Sequence, residues 1–404
     1  MNLSVFLLPT PHSLNQLIIT YNSQKISILE TDMANLKDWA TSLLAKAGVS
    51  VNGNAPWDIK VNNNTLWKRV ATEGTLGLGE AYMDGWWDCD SLDQFFDRVL
   101  SANLAKEIRM RDLPLFDLVK AKILNPQTKS KSVDVAEIHY NLGNDFYETM
   151  LDKNMQYTCA YYGNGAKNLD EAQDAKLHLV CKKLQLKPGE RVLELGCGWG
   201  GFARFAAKNY GVNIEAYNIS TAQIAYCKEK SEGLPINFHL KDYREATGEF
   251  DKVVSIGMCE HVGPKNYRTM FELVHKCLKE RGLFLLHTIG NSKSVHSNDR
   301  WLAKYIFPGS VLPSPELLGS AMDGLFVLED WHNFGVDYDT TLMAWLENFR
   351  ASWPDFKEKY GDTFYRMWEY YLMSCAGIFR SRFCQLYQVV MSKDGVIGGW
   401  RSVR

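Results

Sequence analysis

From about residue 180 the apolar positions fall into short runs separated by amphipathic stretches. Arg191–Leu195 (RVLEL), Val212–Asn218, Ile236–Leu240, Phe250–Ile256 (FDKVVSI) and Leu283–Ile289 (LFLLHTI) predict strands. Between them, Phe202–Asn209, Ser220–Ser231 and the stretch near Tyr267–Leu278 predict helices. Strands alternating with helices imply an α/β fold with a parallel, doubly wound sheet. Ligands of such a sheet sit outside the carboxyl ends of its strands. The tail adds strand-like Phe326–Trp331, a helical block from about 340 to 380, and strand-like Gln385–Met391. Leu342, Met343, Trp345, Leu346 and Phe349 give that block an apolar face.

The first part of the chain is patterned differently. In 32–48, Leu36, Trp39, Leu43 and Leu44 recur at helical spacing, with Asp32 as an N-cap and Gly48 as the stop. Residues 56–110 mix short strand-like and helical pieces, rich in glycine and aromatics. Residues 111–133 carry Lys120, Lys122, Lys129 and Lys131 around Pro126, with few apolar positions, and read as a basic linker. The expected organisation is an N-terminal extension over 1–31, a small mixed domain over 32–110, the linker, and a catalytic domain over 134–404.

Composition narrows the class. With 404 residues, 46% of them hydrophobic, the chain can bury a full core and is not a disordered segment. There are 45 basic against 47 acidic residues, so no global cationic field draws it to nucleic acid or acidic lipid. No run of about 18 apolar residues predicts a spanning helix. The run Val5–Pro9 lacks the basic flank and length of a signal peptide. The nine cysteines form no C-x-x-C pair, which points to a reduced, cytoplasmic chain with no metal site.

Glu194-Leu-Gly-Cys-Gly-Trp-Gly-Gly201 directly follows the first predicted strand. Gly196, Gly198 and Gly201 satisfy the dinucleotide spacing G-x-G-x-x-G. A dinucleotide site would also want an acid about 20 positions on, for the ribose, and the second strand ends at Asn218-Ile219-Ser220 without one. The acid instead precedes the first glycine. E-x-G-x-G-x-G is the pattern of S-adenosylmethionine (SAM) methyltransferases, leaving a nicotinamide dehydrogenase as the weaker reading. Asp242-Tyr243, after the third strand, suits an adenine amino group.

Five segments, the glycine loop among them, narrow the reading together. They are Glu137–Phe146 (EIHYNLGNDF), Met155–Tyr161 (MQYTCAY), Leu193–Gly201, Ser255–Gly263 (SIGMCEHVG) and Trp331–Tyr338 (WHNFGVDY). Together with Leu76–Trp87 they resemble the motifs of the cyclopropane fatty acid synthase family, from about residue 32 to the C-terminus. That resemblance implies a class I SAM-dependent methyltransferase sheet with helical acyl-chain inserts at 134–150 and 340–380. It assigns SAM contacts to Tyr157 and Thr158, to Leu195, Gly196, Cys197, Gly198, Trp199, Gly200 and Gly201, to Asn218, Ile219, Ser220 and Gln223, and to Asp242 and Tyr243. It also implies bound bicarbonate, at Cys159, Glu260, His287, Ile289 and Tyr338, and marks Cys375 as a candidate thiol.

The implied reaction adds the SAM methyl carbon as a methylene bridge across a cis double bond of an unsaturated phospholipid acyl chain. An alkene is a weak nucleophile and must be held in line with the sulfonium in a dry slot. Transfer leaves a carbocation, which aromatic faces stabilise; Tyr157, Tyr161 and Tyr338 are candidates. Ring closure needs a base, and bicarbonate fills that role in this reading. His139 and His261 read as structural residues. A bilayer substrate implies peripheral association with the inner face of the membrane, through basic linker residues and exposed aromatics. Phe95 and Phe96 are candidates, whereas Trp86 and Trp87 read better as core. The family also implies a homodimer. A related methyltransferase that methylates a lipid or small amine without ring closure remains open, as does a lipid-binding protein with a degenerate core.

Overall fold

The computed structural model describes residues 36–104, 142–295 and 297–404. The extension over 1–31, Asp32, His139 and the linker lysines lie outside the described residues. A helix over 36–46 (α1) opens the described chain. A two-strand ladder pairs Lys60–Val61 (β1) with Trp87–Asp88 (β2). Between and after these strands come α2 (Leu66–Glu73), α3 (Thr75–Met83) and α4 (Leu92–Ser101). The next described helix is α5 (Asn144–Met150), followed by α6 (Leu169–Lys183), where Asn168 caps the first turn by accepting from Glu171 N–H.

The main sheet begins with β3 (Arg191–Leu195), and α7 (Gly201–Tyr210), β4 (Asn213–Asn218), α8 (Thr221–Lys230) and β5 (Ile236–Leu240) follow. β6 (Phe250–Ile256), a single turn α9 (Cys259–Val262), α10 (Tyr267–Cys277) and β7 (Leu278–Asn291) continue the alternation. Then come α11 (Arg300–Tyr305), α12 (Pro315–Met322), β8 (Val327–Asn333), α13 (Val336–Arg380) and β9 (Cys384–Ser392). The seven strands lie in the order β5-β4-β3-β6-β7-β9-β8. The pairs among β5, β4, β3, β6 and β7 are parallel, as the alternating pattern predicts. β9 runs antiparallel to both β7 and β8, so the sheet is mixed at one side rather than wholly parallel. Strand direction is not written in a period-2 pattern: β9 reaches its slot directly from α13, without the crossover a parallel neighbour needs.

The helical block expected at 340–380 is two helices that double back on each other at Gly361, where φ is 75°, so that Phe349 stacks on Tyr365 at 5.4 Å and Arg350 reaches Glu369 at 2.6 Å. Residues 36–104 pack on it. Arg380 donates to Asp93 at 2.6 Å and bidentately to Asp339, and Arg366 donates to Asp88 and to the carbonyls of Tyr82 and Trp87. Trp87 and Phe95 are buried, Trp86 lies half-buried under Arg69, and Phe96 sits edge-on to Tyr370. Phe95 and Phe96 therefore cannot serve as exposed membrane contacts: they are packing residues against α13.

Candidate active site

Two cavities open at the carboxyl ends of β3, β4, β6 and β7, and they share walls. The first, about 190 Å³, is lined by Gly196, Cys197, Gly198 and Trp199 from the glycine loop, by Asn218, Ile219 and Gln223, and by Asp242 and Tyr243. The loop turns sharply because Gly196 holds φ at 81°, a region that favours glycine. A Cβ at Gly201 would collide with the Asn154 carbonyl, so glycine there lets the 154–158 segment close over the loop. Asn218 donates to the Gly198 carbonyl at 3.0 Å and to Gln223 Oε1 at 2.8 Å, tying loop to helix. Buried polar atoms of this cavity without a protein partner include Glu194 Oε2, an acceptor, and Gln223 Nε2, a donor. Burial pushes the Glu194 carboxyl well above the usual range. A ligand rich in hydroxyl and amino groups, as SAM is, satisfies both atoms.

The second cavity, about 720 Å³, holds Glu260, His287, Ile289, Tyr338 and Cys375 on one lining. Tyr157, Thr158, Gly257 and His261 line both cavities and form the partition between them. Glu260 Oε1 accepts from Ile289 N–H at 2.7 Å, while Oε2 is buried without a partner. Burial raises the Glu260 carboxyl to about 7. His287 lies against Gln388 Nε2 at 3.2 Å through Nδ1, and its Nε2 is also buried without a partner. Burial, then the nearby Lys176 and Lys183, hold its pKa well below 6.5, so the ring is neutral. With the Gln388 amide donating to Nδ1, the ring proton sits on Nε2. The pair thus presents a free donor and a free acceptor, which fits a small anion bearing both O⁻ and O–H, such as bicarbonate.

Several expected residues stand elsewhere. Leu195 is buried in β3, Gly200 and Gly201 lie behind the loop at the start of α7, and Ser220 caps α8; none of the four reaches the cavity wall. The Cys159 side chain is buried off both linings, with Sγ against the Ala160 carbonyl at 3.2 Å. Tyr161 packs edge-on to His332 and Phe334 rather than facing either cavity, so it is not placed to meet a cation there. Burial raises the thiols of Cys159 and Cys375, which keeps both protonated and poor as nucleophiles. The described part of the 134–150 insert, α5, lines neither cavity; Phe146 and Tyr147 are core. From α13 the wall of the larger cavity is Tyr338, Cys375, Ile378 and Phe379, not the expected face from Leu342 to Phe349. His261 is not simply structural: it sits on the partition with Nδ1 buried and without a partner.

Lys176 belongs to none of the sequence motifs, yet the structure brings it to the site. It is fully buried in α6, with Nζ against Gln156 Oε1 and 2.9 Å from Thr158 Oγ1. Gln173 Nε2 donates to the Thr158 carbonyl at 2.8 Å. The two side chains pin the segment that carries Tyr157 and Thr158 across the partition. A signal was present: Lys176 falls on the apolar stripe of α6, four residues after Ala172 and four before Val180.

Comparison with known proteins agrees with this geometry. Residues 127–389 match the family described as mycolic acid cyclopropane synthetase. A cyclopropane-fatty-acyl-phospholipid synthase of Escherichia coli is 51% identical over 365 residues, spanning 90% of this chain and 95% of that protein. Among solved structures, a cyclopropane synthase from Mycobacterium tuberculosis aligns with TM-score 0.61 at 28% identity, covering 65% of this chain and 98% of the other. A mycolic acid cyclopropane synthase complexed with SAH and CTAB aligns with the same TM-score, identity and coverage.

Proposed function

The chain belongs to the mycolic acid cyclopropane synthetase family, as a SAM-dependent methyltransferase that forms cyclopropanes on fatty-acyl phospholipids, and from that premise we propose how its two cavities divide the work. The observation that carries the reading is the partition: Tyr157, Thr158, Gly257 and His261 belong to both linings, so a donor in one cavity and an acyl chain in the other meet there. The glycine loop, Asn218, Gln223, Asp242 and Tyr243 hold SAM, with Glu194 and Gln223 supplying their free acceptor and donor. Glu260, His287 and the Ile289 backbone hold bicarbonate beside the double bond. Bound there, SAM supplies an electrophilic methyl and bicarbonate a weak base.

The residues' own roles follow from their chemistry. The partition aligns the alkene with the methyl group, and the apolar wall from Ile378 and Phe379 excludes water. The alkene π electrons form the new C–C bond as the S–CH₃ bond breaks, leaving positive charge on the acyl chain. Tyr338, stacked on Phe379 at 4.5 Å, and Tyr157, fixed by its hydroxyl to Tyr371 at 2.9 Å, offer aromatic faces worth about 0.5–2 kcal/mol each to that charge. Loss of a proton from the transferred methyl then closes the ring. His287 donates from Nε2 and Glu260 accepts at Oε2, so both orient the anion rather than take the proton. The protonated thiols of Cys159 and Cys375 have no covalent part in this sequence.

The chain acts as a homodimer at the cytoplasmic face of the membrane, with residues 36–104 sharing one core with the catalytic part; among the described residues no helix is long and apolar enough to cross a bilayer. Proton NMR of the product tests ring closure. Cyclopropane methylene protons far upfield are the expected signal, and a methyl branch without them would favour the simpler methyl transfer.

A further inference from the structure

The lining of the larger cavity is sorted by depth. Its exposed members are two cations, Lys293 and Arg382, the apolar Phe383, and otherwise only serine or asparagine. Its acids lie deeper: Glu260 is buried, and half-buried Asp299 uses Oδ1 to cap α11 by accepting from Trp301 and Leu302 N–H. Among the described residues neither Lys293 nor Arg382 has an ion-pair partner. The mouth is therefore cationic, the middle apolar, and the deepest part holds the free polar atoms of Glu260 and His287.

Arg382 also stands where its side chain is not favoured by the backbone. It follows the C-terminus of α13 with φ at 63°, donating to the Phe379 carbonyl at 3.0 Å, while Phe383 N–H reaches Ile378 O at 3.1 Å. That left-handed closing position favours glycine. Arg382 lines the cavity mouth next to apolar Phe383, which is 59% exposed.

We propose that Lys293 and Arg382 form a subsite for the phosphodiester of the phospholipid whose acyl chain enters this cavity, with Phe383 seated at the headgroup–acyl boundary; the proposal rests on the lipid-modifying reading above. A guanidinium matches phosphate oxygens bidentately, and an ammonium adds a point charge. The near-balanced charge of the whole chain makes a local pair of this kind the means of choosing a lipid that carries phosphate.

The test uses the full chain and uncharged detergent micelles holding either a dioleoyl phospholipid or dioleoylglycerol, which has the same chains and no phosphate. The wild type is expected to favour the phospholipid roughly tenfold in kcat/KM, the ratio that one good charged contact provides. In the Lys293→Gln/Arg382→Gly double variant that ratio falls to near one. Arg382→Gly is chosen because glycine suits the helix-closing position, so its Tm should not fall and misfolding cannot mimic the result. A double variant that keeps the preference, or a wild type that has none, overturns the subsite. A wild type that modifies neither lipid overturns the enzyme reading and the subsite with it.

Discussion

Glu260→Ala is expected to lower turnover by roughly 10²–10⁴-fold, the range set by a positioned acid–base partner, while SAM affinity measured by calorimetry stays at the wild-type value. The separation follows from placement, since Glu260 lines the acyl cavity and not the glycine-loop cavity. Its two oxygens have different tasks: Oε1 holds the Ile289 backbone and Oε2 is free to accept. Glu260→Gln keeps an acceptor for Ile289 N–H but carries no titrating carboxyl. Because burial raises the wild-type carboxyl to about 7, it is protonated below that pH and can no longer accept at both oxygens. Wild-type turnover should therefore fall as the pH drops below about 7, and the residual turnover of Glu260→Gln should lack that limb. Stability has the opposite sign. A carboxyl whose folded pKa is raised favours the fold below its unfolded value and loses that contribution as pH rises through about 7. Urea titrations should show wild-type stability losing ground to Glu260→Gln across that interval. Turnover of Glu260→Ala equal to wild type would remove the residue from the reaction.

Lys176→Met is expected to raise the KM for SAM about tenfold and to lower kcat as well, although Lys176 lines neither cavity. Methionine keeps the length of the stem and removes the ammonium that holds Gln156 and Thr158. The segment with Tyr157 and Thr158 then loses its anchor on the partition, and a small misplacement there is felt in both binding and alignment. Lys176 is a positioning residue, so a readout beyond activity is needed. Burial lowers its pKa to about 8, against 10.5 for a free lysine. Between those values the unfolded chain binds more protons, so this residue's contribution to wild-type stability increases with pH from about 8 to 10.5. That slope should vanish in Lys176→Met, and KM and kcat should both shift. A variant with the altered slope but unchanged SAM kinetics would make Lys176 purely structural.

Much of the sheet was legible because its central strands are buried on both faces and read as unbroken apolar runs. Arg191–Leu195 and Phe250–Ile256 begin and end where the pattern places them. The reversed direction of β9 was not legible, because alternation is the same for either direction. In the site, the glycine loop and Asp242-Tyr243 reach a cavity wall, since strand ends and tight turns are encoded locally. Motif proximity misled at Tyr161 and Cys159. Both neighbour Tyr157 and Thr158 in sequence, yet their side chains turn away, toward Phe334 and Ala160. Lys176 and Gln388 act from α6 and β9, and only the tertiary packing brings them to the site. The break at Gly361 likewise divides a helical block whose composition is continuous.

The most direct measurement is the mass of phospholipid acyl chains after incubation of the purified protein with SAM and vesicles of unsaturated phospholipid. A gain of one CH₂ on each modified chain, with consumption of one double bond and one SAM, is the result expected of two cavities meeting at Tyr157, Thr158, Gly257 and His261. An unchanged acyl mass with protein that binds SAM would contradict it.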